Sequence, residues 1–303
     1  MRPASHAGSW YPKDPQELCD QIDALLESGG GGRTGGTTRR LLAIVSPHAG
    51  IRFSGATAAK GYCALLDYLM ASPRGTVKRI FVLGPSHHQH MRDTCVVSGC
   101  AAYDTPFGPI LVDTAVVASL GLPTMALSMD SEEHALEMQM PFLARIITRC
   151  ELRDVKIVPI LVGSMSSPAA ELAASVVLAP YMASPENIFI FSSDFCHWGS
   201  RFRYSYHYQK ETIPAIGDAI IAMDREGMDH IEKKDIASWH KYLETTKNTI
   251  CGRHPIGMLL QMISQQPAAN QVLVKFVGYS QSNRCADKND SSVSYASGCV
   301  WDK

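Results

Sequence analysis

Apolar residues run almost without interruption through LLAIVS (41–46), VKRIFVLG (77–84), VKIVPILVG (155–163), ENIFIFSSDF (186–195) and VLVKFVGYS (272–280). Short continuous apolar runs of this kind predict strands covered on both faces. Between them, helical patterns cover residues 14–28, 54–69, 168–179, 209–224, 235–246 and 255–265. Asp14 and Pro15 suit the cap and first position of the first helix, and Ser54 lies near the start of the second. A further helix is expected from DSEEHALEMQM through PFLARIITR, kinked or interrupted at Pro141. TCVVSGCAAYDTPFGPILVD reads as a peripheral hairpin, and SSVSYASGCV as a final edge strand. Strands alternating with helices predict one three-layer α/β/α domain over residues 1–303, with a central sheet that is largely parallel or mixed. The run GGGGRTGGTT (29–38) predicts a flexible surface loop. It lacks the GxxxxGK[ST] spacing of a phosphate loop and lies too near the N-terminus to separate two cores.

The polar residues that break this pattern collect just beyond strands. AIVSPHAG places His48 there, FVLGPSHHQH places His87, His88 and His90, and FIFSSDFCHWG places Asp194 and His197. In open α/β sheets, reactive loops gather at the carboxyl ends of strands, so these distant residues are expected in one pocket. TICGRHPIGMLL adds Cys251 and His254 near the start of a helix, with Pro255 suited to its first turn. Two imidazoles and a thiolate from His48, His87 and Cys251 could hold zinc, iron or copper and leave a position open. A buried, inert Cys251 is the plainer alternative.

His90 reads as a surface residue, whereas His88 could line the pocket. Asp194 could orient His197 for proton transfer, or the pair could simply cap a turn. His134 and Glu137 share a helical face and suggest a supporting pair behind the pocket. Two rival chemistries remain open. Serines in SPHAG, GPSH and SSDFCH sit near possible partners, although none forms a GxSxG elbow. Cys251 could instead be a nucleophile paired with His197 or His87.

Composition narrows the field. With 303 residues, 46% hydrophobic and 19% charged, the chain can bury a large core, and a formal charge of −1 argues against a broad nucleic-acid footprint. MRPASHAGSWYPKD lacks the apolar core of a signal peptide, and no run approaches a membrane span, so the expected location is the cytoplasm. Nine scattered cysteines favour a reducing compartment. No nucleotide or flavin is expected.

Several longer motifs carry a resemblance. ASHAGSWY (4–11), PHAG (47–50), IFVLGPSHH (80–88), EHALEMQMPF (133–142), VPILVG (158–163), SSDFCHWGSRFRYSY (192–206), TICGRHPIG (249–257) and DSSVSYASG (290–298) occur in the order found in the Memo family. That family is named for mediation of cell motility and is related in fold to class III extradiol dioxygenases. The resemblance implies one α/β domain with an iron or copper site at His48, His87 and Cys251. It also implies a pocket histidine at His197, accompanied by Asp194, and a recognition role for Trp10. Phe53 stands where some members have tyrosine. Cys251 replaces the carboxylate of the dioxygenase triad, so ring cleavage does not follow from the fold. The expected partner is a small redox-active ligand. The alternative implied by the family is a phosphotyrosine-containing receptor peptide, with Arg201 and Arg203 as possible phosphate contacts.

Overall fold

The computed structural model describes residues 1–30, 39–152, 154–208 and 215–302. Eleven strands are present among them: β1 Leu41–Ser46, β2 Arg79–Pro85, β3 Cys95–Ser98, β4 Ala102–Tyr103, β5 Ile110–Leu111, β6 Thr124–Met125, β7 Lys156–Val162, β8 Asn187–Ser192, β9 His197–Trp198, β10 Leu273–Gln281 and β11 Ser292–Trp301. The main sheet runs β10-β11-β1-β8-β2-β7-β3-β6, with β9 paired to β11, and β4 and β5 form a separate small ribbon. β1, β8, β2 and β7 are mutually parallel, whereas β11 and β3 are antiparallel to their neighbours β1 and β7. The sheet is therefore mixed around a parallel centre.

The unbroken apolar runs have the expected cause. In β8, Phe189 and Phe191 pack into one core while Ile188 and Ile190 pack into the other. Phe81 and Leu83 of β2 face one way, Ile80 and Val82 the other. Every second residue enters the opposite layer, so a strand buried on both faces has no polar position to spare. Helices including Pro15–Gly29, Ile51–Ala71 and Met140–Arg149 cover one face, and Ile216–Glu232, Ile236–Thr246 and Arg253–Ser264 cover the other, giving three α/β/α layers.

Some expectations shift. Asp14 caps the first helix as anticipated, accepting from the Gln16 and Glu17 amides. The second helix starts at Ile51, so Ser54 is inside it and donates to the Ala49 carbonyl at 2.8 Å. The expected helix through Pro141 is three pieces, Leu127–Glu132, His134–Glu137 and Met140–Arg149. Its breaks lie at Glu133 and at 138–139, because Pro141 occupies a first turn, where its missing N–H costs nothing. SSVSYASGCV is an interior strand rather than an edge, lying between β10 and β1. β3 joins the main sheet, leaving only β4–β5 as the peripheral hairpin. Residues 31–38 of the Gly-rich run and 209–214 of an expected helix lie outside the described residues.

Cys251 is held at the junction before the helix Arg253–Ser264, where Gly252 permits close approach to β8. A Cβ on Gly252 would lie 2.3 Å from Ser193 Cβ and 2.7 Å from the Ser192 carbonyl oxygen. Gly252→Ala should lower stability by about 1–3 kcal/mol, measured by denaturant unfolding. An unchanged midpoint would show that the junction yields without cost.

Candidate metal centre

β1, β8 and β2 end side by side, and their following loops deliver His48, Asp194 and His87 to the same edge of the sheet. Cys251 enters from the helix junction on one side. One nitrogen from each of His48 and His87 and the Cys251 sulfur all lie within 4.8 Å of one another. Cys251 Sγ is 3.1 Å from His48 Nε2, and the Asp194 amide donates to that sulfur at 3.2 Å. His48 is 2% exposed, whereas the His87 side chain is 26% exposed and opens the cluster to a cavity of about 640 Å³.

Glu133 fixes His87. Its carboxylate accepts the His87 backbone N–H at 2.7 Å and faces ring Nδ1 at 2.8 Å. Burial alone would raise this carboxyl, but the His87 hydrogen bond and charge hold it down at about 2. An ionised carboxylate only accepts, so His87 Nδ1 carries the proton and Nε2 is left for the centre. Burial opposes the imidazolium of His87, yet hydrogen bonds to Cys251 and Glu133 outweigh it and bring its pKa to about 10. His48 goes the other way: desolvation and neighbouring His87 hold it neutral, well below the usual range. The two imidazoles therefore differ in charge: His87 gains hydrogen bonds to Cys251 and Glu133 that outweigh its burial, whereas His48 is fully desolvated beside a charged neighbour.

The other expected site residues separate into those at the cavity and those elsewhere. Trp10, Phe53, His134, Asp194, His197 and Arg201 line it. Asp194 does not bond the His197 ring; its carboxylate accepts the His48 and Ala49 amides at 2.8 and 3.3 Å and shapes the PHAG turn. Burial raises Asp194 to about 7 despite those bonds. His197 gives its Nδ1 proton to the Phe195 carbonyl at 2.9 Å, so Nε2 carries the lone pair. Desolvation lowers its pKa. His134 lies between Trp10 and His87, with ring centroids 4.6 and 4.3 Å away, and desolvation brings it to about 3.

Glu137 points away from the centre. It binds the His6 ring and amide, the Tyr11 hydroxyl and Arg2, and so anchors the N-terminal segment that carries Trp10. His88 is exposed beside His134, His90 is exposed in the loop, and Arg203 caps the short turn Ser200–Phe202 in a left-handed conformation. His254 faces buried Glu171 at 3.3 Å in a different cavity. Sequence reasoning passed over Glu133 and Gln139, and weighed Ser192 only as one of the SSDFCH serines near a possible catalytic partner. Glu133 adjoins His134 in EEHALEM, but helical spacing drew attention to the pair 134/137. The signal missed was capping: Glu133 begins a new short helix, and its carboxylate also accepts the Ala135 amide.

Residues 2–299 match a family described as Memo-like protein. Protein MEMO1 of Rattus norvegicus and of Homo sapiens are each 38% identical to this chain over 304 residues, covering 99% of it and 97% of those proteins. Protein memo-1 homolog of Caenorhabditis elegans is 38% identical over 306 residues, covering 99% of this chain and 82% of that protein.

Glu133→Gln should lower the His87 pKa from about 10 by roughly 1–3 units, followed by NMR titration of the ring in metal-free protein. A titration that does not move would assign the high value to Cys251 alone.

Proposed function

The chain belongs to the Memo-like family, and on that premise we propose that it is a metal-binding redox protein whose His48, His87 and Cys251 hold iron or copper. The carrying observation is the convergence of two nitrogens and one sulfur within 4.8 Å, beside a cavity large enough for a small ligand. The donor set fits such an ion. Imidazole suits iron, copper and zinc alike, and the soft thiolate favours copper or a thiolate-bound iron over hard cations. When bound, the metal supplies electron transfer and Lewis acidity at the cavity floor.

The chain's own residues define what can happen above it. The Asp194 amide donates to the sulfur and draws charge from it. His197, neutral and with its Nε2 lone pair free, is suited to take a proton from a ligand in the cavity. Trp10 and Phe53 offer flat apolar walls, and Arg201 adds a cation at the rim. That combination selects a small, reduced molecule with an aromatic or anionic part. Cys251 in place of a carboxylate makes the centre softer and itself oxidisable, which argues against ring cleavage as the reaction.

A second reading uses the same cavity for a phosphotyrosine peptide in signalling linked to cell motility. It is favoured by the guanidinium groups of Arg52 and Arg201 at the rim, each over an aromatic ring, 4.5 and 5.6 Å from the Phe53 and Phe202 centroids. Peptide affinity would then survive metal removal and fall with Arg201→Ala.

Anaerobic purification with metal quantification tests the leading reading. Wild type should carry close to one iron or copper per chain with a cysteine-dependent absorption band, and His48→Ala, His87→Ala and Cys251→Ser should each lose most of it. Unchanged content in all three would move the site elsewhere. Metal binding must also displace the His87 proton. Because that group stays protonated up to about 10, and any proton on the Cys251 sulfur must leave as well, apparent zinc affinity should rise by at least about tenfold per pH unit from pH 6 to 9. A flat profile in a chelator competition would exclude His87 as a ligand.

A further inference from the structure

Behind His48 lies a chain of hydrogen bonds whose directions can be worked out from end to end. The Pro47 carbonyl can only accept, so the Gln139 atom 3.1 Å from it is the donor Nε2. That places Gln139 Oε1 opposite the Tyr62 hydroxyl, which donates to it at 2.7 Å. The second Nε2 proton goes to Ser192 Oγ at 2.9 Å. Ser192 has one proton of its own, and the Ala135 carbonyl 2.7 Å away can only accept, so the proton goes there. What remains on Ser192 Oγ is a lone pair, and it faces His48 Nδ1 at 2.8 Å. His48 must therefore donate.

We propose that Ser192, seated by Gln139 and the Ala135 carbonyl, is the positioning residue that commits His48 to its Nδ1–H tautomer. The Nε2 lone pair is thereby aimed at the centre before any ligand arrives. Ser192 and Gln139 are both 0% exposed, so no solvent molecule competes to reverse the sequence. A reversal would set the Ser192 oxygen against the Ala135 carbonyl without a proton between them, the penalty of an unpaired buried acceptor. Ser192 thus performs for His48, through an uncharged hydroxyl, the orientation that Glu133 performs for His87 through a carboxylate.

The functional consequence rests on the metal-centre reading, but the tautomer itself is a property of the metal-free protein. Long-range proton–nitrogen NMR of histidine-labelled, metal-free protein should show His48 protonated at Nδ1 and bare at Nε2. Ser192→Ala should give a mixture of tautomers and weaken zinc binding roughly 10- to 100-fold, while Ser192→Thr, which keeps the hydroxyl, should restore both. A proton on His48 Nε2 in the wild type would overturn the proposal, and so would Ser192→Ala retaining both the wild-type tautomer and affinity. Should Ser192→Ala fail to fold, the wild-type spectrum still decides the tautomer. An Nδ1–H tautomer in a wild type that binds neither zinc, iron nor copper would sink the metal centre and leave the positioning role standing.

Discussion

Strand β8 runs between β1 and β2 and parallel to both, with Ser192 beside Ser46 and Phe191 beside Leu83. All three chains therefore leave the sheet at one edge and in one direction. Parallel pairing makes that edge a place where backbone groups run out of ladder partners and loops must begin. The strands themselves cannot slide, because a one-residue slip would exchange the two buried faces and send Phe189 and Phe191 into the wrong core. A rigid, doubly buried sheet is thus what lets His48, Asp194 and His87 arrive at fixed separations. Cys251 needs one more condition, a residue without a Cβ at 252, since the helix start presses on Ser193.

Convergence alone does not aim the donors. Imidazole has two nitrogens, and each must be told which one to offer. A single short segment, 133–139, supplies the instructions: Glu133 accepts the hydrogen bond from His87 Nδ1–H, Ala135 and Gln139 seat Ser192, and Glu137 ties down His6 and Tyr11 on either side of Trp10. Its irregularity follows from that work. A continuous helix would have spent the Glu133 region on intrahelical bonding, whereas the break turns its carboxylate toward the Ala135 amide and the His87 loop. The buried charges of Glu137 and Asp130 are in turn matched by Arg2, itself 0% exposed. Breaking such a matched set leaves an uncompensated charge in the interior, so the N-terminal segment is bound to the scaffold tightly.

How much of this could be read in the chain follows from the same physics. The strands were legible because burial on both faces leaves an unbroken apolar run, as in IFVLG and NIFIF. His48, His87 and Cys251 could be singled out because a polar residue just past such a run is conspicuous, and because the surrounding motifs resemble one family throughout. Strand order was not legible: nothing local to SSVSYASGCV says that it lies inside the sheet beside β1, since that position is set by a partner more than 200 residues away. The supporting residues were equally hidden. Ser192 and Gln139 look like ordinary polar residues until Tyr62, Pro47 and Ala135 are brought around them. Asp194 was expected to serve His197 from their nearness in sequence, yet its carboxylate satisfies the turn amides of His48 and Ala49 instead.

A second histidine-bearing cavity, of about 980 Å³, shows why neither size nor histidine count decides where chemistry sits. It contains His240 and His254, but both lie against Glu171, one beside each carboxylate oxygen at 2.9 and 3.3 Å. Their nitrogens are drawn to a carboxylate that is 2% exposed, and Glu171 is itself packed so closely on Gly257 that a Cβ there would lie 2.2 Å from its oxygen. At the smaller cavity the acceptors stand behind the imidazoles, and the remaining nitrogens meet a sulfur in front. At the larger one the acceptor occupies the middle. The difference is which side of the ring the protein's own oxygen takes, because an imidazole that faces a central carboxylate, as His240 does by proximity and His254 through a hydrogen bond, has turned toward it the direction that a shared ligand would need.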